Sequence, residues 1–325
     1  MDRDSIEGIG KMKEIGGYIE LDTYNLPMLH KKAIALNCGR NGLAYLLKSR
    51  GIKKLKIPYF ICSSIPDVCD REGVEKSFYH VGLDFRPTEL AVEDDEWLYL
   101  VNYYGQLSND EIKQYVDKYE RVIVDQANAY FQTPINDVDT IYTCRKWFGV
   151  TDGAFLYTNK KLNEELPIDE SYARMRFLLG RYERTASEFY GEYTANNMFF
   201  ATEPIKRMSK FTSNLLHGID YEAVQAKRNE NFCYLHERLG SINMLVLSSA
   251  NFMYPFMVEN GAVIRRKLQM NSVYIPTLWP TVFDLVAPDA IEYKMAENIL
   301  PLPIDQRYGI EEMDYMIDLI TNNFK

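Results

Sequence analysis

"IYTCRKWFGVTDGAFLYT" (residues 141–158) puts two adjacent cations, Arg145 and Lys146, at the end of an apolar, strand-like run. A glycine-bearing turn follows, and then a second strand-like run begins at Gly153. Runs this apolar are buried in sheets, and their ends are where the chain leaves the sheet. A lysine delivered there is either an ordinary surface residue or an amine presented to a cleft. The rest of the chain has to decide between the two.

Twenty-one positions earlier the nearly all-apolar run RVIVDQA (121–127) carries one carboxylate, Asp125. Open α/β sheets bind ligands at the carboxyl ends of their strands, and a carboxylate held there pairs with a cationic ligand nitrogen. Alone, Asp125 reads equally as a solvated loop residue or a helix cap. Closer to the N-terminus, NCGRNGLAYLLKSRG (37–51) reads as a turn feeding a helix. Leu43, Leu46 and Leu47 share one face of that helix and Gly51 stops it. Backbone N–H groups of Gly39, Arg40 and Asn41 at its start make an anion site suited to phosphate. Neither GxGxxG nor GxxxxGK[ST] occurs, which removes the usual dinucleotide and nucleoside-triphosphate readings. An early phosphate turn, a strand-end acid and a strand-end lysine, in this order, match pyridoxal 5'-phosphate. That cofactor needs a phosphate cradle, an acid opposite its pyridine nitrogen and a lysine for its aldehyde.

Around these residues, short apolar runs alternate with helical patterns, the signature of an α/β fold. KLKIPYF (54–60), EKSFYHV (75–81), EWLYLVNYYG (96–105), DTIYTC (139–144) and GAFLYT (153–158) read as strands. Ser108 with Glu111 forms a capping box for the helix after the third of these. From about residue 168 to 240 the pattern is helical and ends in one long helix over 220–240. SVYIP (272–276) reads as a strand, ILPLPIDQRYG (299–309) as a loop folding back over a cleft, and 310–321 as a final helix. The domain change is expected near residue 225. It separates a large cofactor-binding domain, 1–225, from a small C-terminal α+β domain, 226–325.

Composition bounds the function. With 325 residues, 46% of them hydrophobic, the chain can bury a large core. A net charge of −9 argues against a general nucleic-acid binder. Met1 to Asp4 open a charged start without the apolar core of a signal peptide, and no run of 18 apolar residues predicts a membrane span. Five cysteines, an odd number without a CxxC pair, suggest reduced thiols in a cytoplasm. Four scattered histidines predict no metal site.

Over LNCGRNGL, KIPYFICSS, VIVDQANA and IYTCRKWFGVTDGAFLYT, and more weakly in LPLPIDQRY, the sequence resembles the DegT/DnrJ/EryC1/StrS sugar aminotransferases. These belong to the fold-type I pyridoxal-phosphate enzymes. The resemblance implies a large, mixed, mostly parallel seven-stranded sheet flanked by helices, plus a small C-terminal α+β domain. It also implies that Lys146 forms the Schiff base and Asp125 pairs with the pyridine N–H. Asn128 would approach the ring, and Thr143 would bind phosphate beside the Arg40 and Asn41 backbone. The family's ring-stacking aromatic, counted from Pro58, falls on Cys62, and its usual histidine after the strand aspartate is Asn128 here. Substrate contacts are expected from Tyr104, beside Tyr103, from Arg181 within a face shared by Arg174 and Arg184, and from Arg307.

The implied activity is transfer of an amino group, from a donor such as glutamate, to a keto-sugar expected to be nucleotide-linked. The implied setting is surface-polysaccharide biosynthesis by a cytoplasmic homodimer. The alternatives are another pyridoxal-phosphate reaction on this scaffold, sugar dehydration or amino-acid cleavage, and a catalytically silent binding protein. The retained lysine favours transamination over dehydration, because some relatives that dehydrate sugars replace it with histidine.

Overall fold

The computed structural model describes residues 15–249 and 251–322; the charged start, Met1 to Asp4, lies outside them. An eight-stranded sheet, order β1-β8-β7-β6-β5-β2-β3-β4, spans residues 34–157. Its elements in chain order are β1 (Ile34–Leu36), α1 (Gly39–Arg50), β2 (Lys54–Pro58), α2 (Ser64–Arg71), β3 (Glu75–Val81) and β4 (Pro87–Thr88). They continue with β5 (Trp97–Val101), α3 (Asn109–Tyr119), β6 (Val122–Asp125), β7 (Asp139–Thr143) and β8 (Ala154–Tyr157). Strands β3, β2, β5, β6 and β7 run parallel, while β8, β1 and β4 pair antiparallel with their neighbours. β5, β6 and β7 are buried almost throughout, because helices cover both faces of a parallel sheet.

Seven strands were expected and eight are present. The sequence pattern marks six of them; the other two are β1, of three residues, and β4, a two-residue edge strand paired with β3, both too short to carry a periodic signal. Pro87 of β4 is tolerated because an edge strand has a side that needs no donor. Helix α1 packs against β7 at Gly42, where a Cβ would come within 3.3 Å of the Ile141 side chain. Gly51 ends α1 in the left-handed region, and Ser108 and Glu111 form the expected capping box on α3.

After β8 come α4 (Arg176–Glu183), α5 (Tyr190–Phe199), α6 (Lys210–Leu216) and the long α7 (Tyr221–Leu239), through which residue 225 passes. Then follow β9 (Tyr254–Met257), α8 (Gly261–Met270), α9 (Val282–Leu285), α10 (Ile291–Asn298), β10 (Ile299–Leu302) and α11 (Ile310–Thr321). β9 and β10 form a separate antiparallel pair. Two expectations are corrected here. Residues 272–276 form no strand: Ser272 sits in a turn at φ +62, residues 273–276 pair with no strand, and Ile275 is buried. The start of the expected loop, 299–302, is β10, because each strand of a two-stranded ribbon is an edge and accommodates Pro301 opposite Pro255. Among the described residues no helix is long and apolar enough to cross a membrane.

Candidate active site

The strand directions bring the carboxyl ends of β1, β2, β5, β6 and β7 to one edge of the sheet. The start of α1, Asp125 and Thr143 all lie at that edge, and the chain carries Lys146 three residues beyond Thr143. After Thr143 the chain turns sharply: Trp147 N and Phe148 N both donate to Cys144 O, at 2.9 and 3.0 Å. Cys144 N donates to Gly153 O at 3.0 Å, and Gly153 N to Asn37 O at 2.7 Å, so the turn is stitched to the end of β1. Gly153 has φ +111, and a Cβ there would sit 3.1 Å from Thr212 and 3.2 Å from Cys144. Only glycine fits both requirements. Within this turn Cys144 and Trp147 are buried while Lys146 is exposed, its Nζ 5.4 Å from the centre of the Phe252 ring. The turn is tied to the β6 end as well, since Trp147 Nε1 donates to Ala127 O at 3.0 Å.

Asp125 is half-buried and held by two donors. Ala127 N reaches Oδ1 at 2.8 Å, and the Tyr99 hydroxyl reaches Oδ2 at 2.9 Å. Tyr99 stands on β5 two residues before Val101, which pairs with Asp125, so it shares the face of Val101 and approaches from below. Burial, followed by the charge of Asp125, pushes the Tyr99 phenol well above its usual range. It therefore stays protonated and acts only as a donor. Cys62 is partly buried, with its thiol 2.8 Å from the Ser64 hydroxyl, and it shares the Tyr99 and Tyr103 hydroxyls with Asp125 as electrostatic neighbours. Asn128 is 3% exposed and its Oδ1 has no hydrogen-bond partner.

At the start of α1 no side chain caps the helix. Thr143 lies beside it, its Cβ 3.9 Å from where a Gly39 Cβ would be. Cations gather there. Arg40 donates to Asn197 O, and Arg145 to Asn197 Oδ1, each at 2.9 Å, and Arg145 lies over the Phe200 ring at 4.6 Å. Arg145 Nε is buried without a partner, and burial lowers the pKa of its guanidinium. Burial raises the Cys38 thiol, while Arg145, Arg40 and Arg71 act on it in the opposite sense. Asn41 turns its side chain inward, to Asn37 Oδ1, Glu203 O and Pro204 O, so only its backbone faces this edge. A helix start with two guanidinium groups and no capping side chain is built for an anion.

Three expected substrate residues lie apart from this cluster or are differently engaged. Tyr104 is fully buried at φ +52, packed 5.3 Å from Phe85 and 5.7 Å from Trp279, with its hydroxyl unpaired. It is a packing residue between the sheet and the C-terminal elements. Arg181 is exposed on α4, but α4 begins at Arg176, so Arg174 is not on the same helix. Arg174 instead pairs with Asp169 at 2.8 Å and lies over Phe199, while Arg184 pairs with Glu188. Arg307 makes a two-pronged ion pair with Asp305, at 2.6 and 2.8 Å. Burial works against the Asp305 charge, but Arg307 outweighs it and holds that carboxyl below its usual range. The neighbouring Gln306 reaches the lysine turn, donating to Trp147 O at 2.9 Å.

Sequence reasoning did not single out Tyr99, Arg145 or Phe252, which lie at this site. Of these only Arg145 had a local signal, as the cation beside Lys146. Among the described residues no group of three His, Cys, Asp or Glu side chains is placed to hold a metal ion.

No family model and no curated protein matches this sequence. Solved structures do. The chain is similar to the sugar aminotransferase CalS13 of Micromonospora echinospora, at 15% identity and TM-score 0.64, covering 90% of this chain and 87% of that one. It is similar to a DegT DnrJ EryC1 StrS aminotransferase of Brucella abortus, at 17% identity and TM-score 0.62, covering 89% and 85%. It is also similar to NtdA of Bacillus subtilis, solved with bound cofactor PMP, at 14% identity and TM-score 0.63, covering 89% and 72%. The chain therefore has the fold of these sugar aminotransferases, the mixed α/β architecture expected from the sequence.

Proposed function

We propose that the chain is a pyridoxal-phosphate-dependent aminotransferase that moves an amino group from an amino-acid donor, glutamate first among them, to a nucleotide-linked keto-sugar. One observation carries this reading. The turn bearing Lys146, the turn after Asp125 and the uncapped start of α1 meet at one sheet edge, and Trp147 Nε1 to Ala127 O joins the first two. A sugar substrate, amino transfer and a pyridoxamine-form cofactor are also what the names of the similar structures suggest.

The residues present fit the cofactor. The unpartnered Arg145 Nε, with Arg40, Thr143 and the first N–H groups of α1, would hold its phosphate. Asp125, fixed by Tyr99 and Ala127 N, would face its ring nitrogen, and the unpaired Asn128 Oδ1 is an acceptor beside it. Lys146 would take its aldehyde. When bound, pyridoxal phosphate supplies a carbonyl that exchanges amines and a ring that accepts an electron pair. The remaining work belongs to the chain. Asp125, held in place by the Tyr99 hydroxyl and Ala127 N, would pair with the ring nitrogen. Lys146 Nζ, beside the Phe252 ring, takes the proton from the donor's α-carbon and returns one on the reverse half-reaction. The Phe252 ring flanks the amine on one side.

Exposed apolar side chains gather in 15–29 (Ile15, Tyr18, Ile19, Leu21, Leu26) and in 172–198 (Tyr172, Leu179, Tyr182, Tyr190, Met198). They support a homodimer as the working unit. The five cysteines, all free, support a cytoplasmic setting, and surface-polysaccharide assembly is the pathway class proposed.

Purified protein should be yellow, and borohydride should bleach the band while fixing cofactor mass on the peptide that contains Lys146. Protein that stays colourless after reconstitution with pyridoxal phosphate refutes the reading and leaves a binding protein of the same fold. A band that no amino donor converts points to a dehydratase or lyase.

A further inference from the structure

Arg228, on α7, is 1% exposed, yet its hydrogen bonds among the described residues all go to uncharged acceptors. Nε donates to Gln306 Oε1 at 2.9 Å, and Nη1 to Asn251 O at 2.7 Å and Phe252 O at 3.2 Å. Nη2 donates to Trp147 O at 3.3 Å, and the guanidinium lies over the Trp147 ring at 4.6 Å. Burial pulls its pKa down to about 10, with Asp305 opposing at longer range, so it remains a cation at neutral pH. Asp305 is itself engaged by Arg307. Burying a cation without a directly bonded carboxylate is expensive, and a residue of similar shape without charge would ordinarily pack there at lower cost.

The contacts show what the fork accomplishes. Trp147 directly follows Lys146, and Phe252 is the ring that faces the Lys146 amine. One planar group therefore grips the backbone of both, while Gln306 adds a second donor to the same Trp147 carbonyl.

We propose that Arg228 is a positioning residue for Lys146, its guanidinium fixing the turn that carries the amine and the ring that faces it, with Gln306 as the second clasp. This rests on the role given to Lys146 above. A lysine at 228 has no rigid fork and cannot reach Trp147 O, Phe252 O and Gln306 together. Small displacements of a reacting group cost up to about a hundredfold in rate.

The test compares wild type, Arg228→Lys, Arg228→Gln and Gln306→Ala as reconstituted holoenzymes. It follows formation of the borohydride-trapped adduct on Lys146, the position of the visible band and the thermal midpoint. Both Arg228 variants should form the adduct about ten- to a hundredfold more slowly, with a displaced band in fully folded protein. Gln306→Ala should fall between them and wild type. A residue that only stabilised the fold would move the thermal midpoint and leave rate and band alone, and that outcome overturns the proposal. Should the Arg228 variants fail to fold, Gln306→Ala decides, and wild-type behaviour there also overturns it. Hydrogen exchange of residues 144–153 in cofactor-free protein separates the two readings. Faster exchange in the variants supports the clasp even if wild type never traps cofactor, and unchanged exchange overturns the clasp whatever the cofactor does.

Discussion

Tyr99→Phe is the most discriminating single change at the proposed site, because it removes one hydroxyl and nothing else. Tyr99 is 1% exposed, and phenylalanine fills the same space apart from that oxygen. What disappears is the 2.9 Å hydrogen bond to Asp125 Oδ2; the 2.8 Å bond from Ala127 N to Oδ1 remains. A hydrogen bond to a charged group contributes about 1.5–3 kcal/mol when its loss leaves a buried ion unsatisfied. Asp125 is only half-buried, so water restores part of that and the expected cost is about 1 kcal/mol. If the carboxylate pairs with a cationic ring nitrogen, freeing its rotamer should weaken pyridoxal phosphate binding by about fivefold, the equivalent of that energy. The assay is absorbance titration of cofactor-free protein with pyridoxal phosphate, alongside urea unfolding without cofactor. Asp125→Ala, which removes the charge as well, should weaken binding far more. Binding by Tyr99→Phe within twofold of wild type, with unfolding free energy unchanged, would refute the account of how Asp125 is held.

Two further outcomes are expected. Gly153→Ala forces a β-carbon into 3.1–3.2 Å contacts at φ +111 and should destabilise the protein by about 1–3 kcal/mol in urea unfolding, with slower trapping at Lys146. His30 is 2% exposed, donates to Tyr130 O, and is pushed by burial, against that hydrogen bond, down to about 4. The unfolded chain takes up this proton near pH 6.5 and the folded one only near 4, so the contribution is complete above 6.5 and lost as pH falls towards 4. Stability should drop by about 2 kcal/mol between pH 7 and pH 5 from this group, and a His30→Gln variant should lack that share of the drop.

The parts of the site legible in the sequence are those that depend on strand direction alone. Lys146, Asp125 and Gly39 each follow an apolar run, and in a sheet that is mostly parallel such ends collect at one edge. What the pattern could not supply was set by packing between distant segments. Tyr104 reads from the sequence as an aromatic ring that could stack on a ligand. Its positive φ turns it inward, against Phe85 and Trp279, and Trp279 lies 175 residues away in sequence. Residues 299–302 looked like a loop because of their prolines, and only the partner strand 254–257 makes them a ribbon.

The electrostatics of the site belong to this second kind. Arg228 sits in the long helix α7, and its contacts come from Trp147, Phe252 and Gln306, drawn from three separate stretches of chain. Arg145 lies next to Lys146 in sequence, yet its unpaired Nε becomes visible only once Asn197 and Phe200 pack around its other side. A partly buried guanidinium with an unused donor, beside an uncapped helix start, is costly unless an anion arrives. The packing around Arg145 and the start of α1 therefore argues for an anionic ligand at this edge, independently of Lys146.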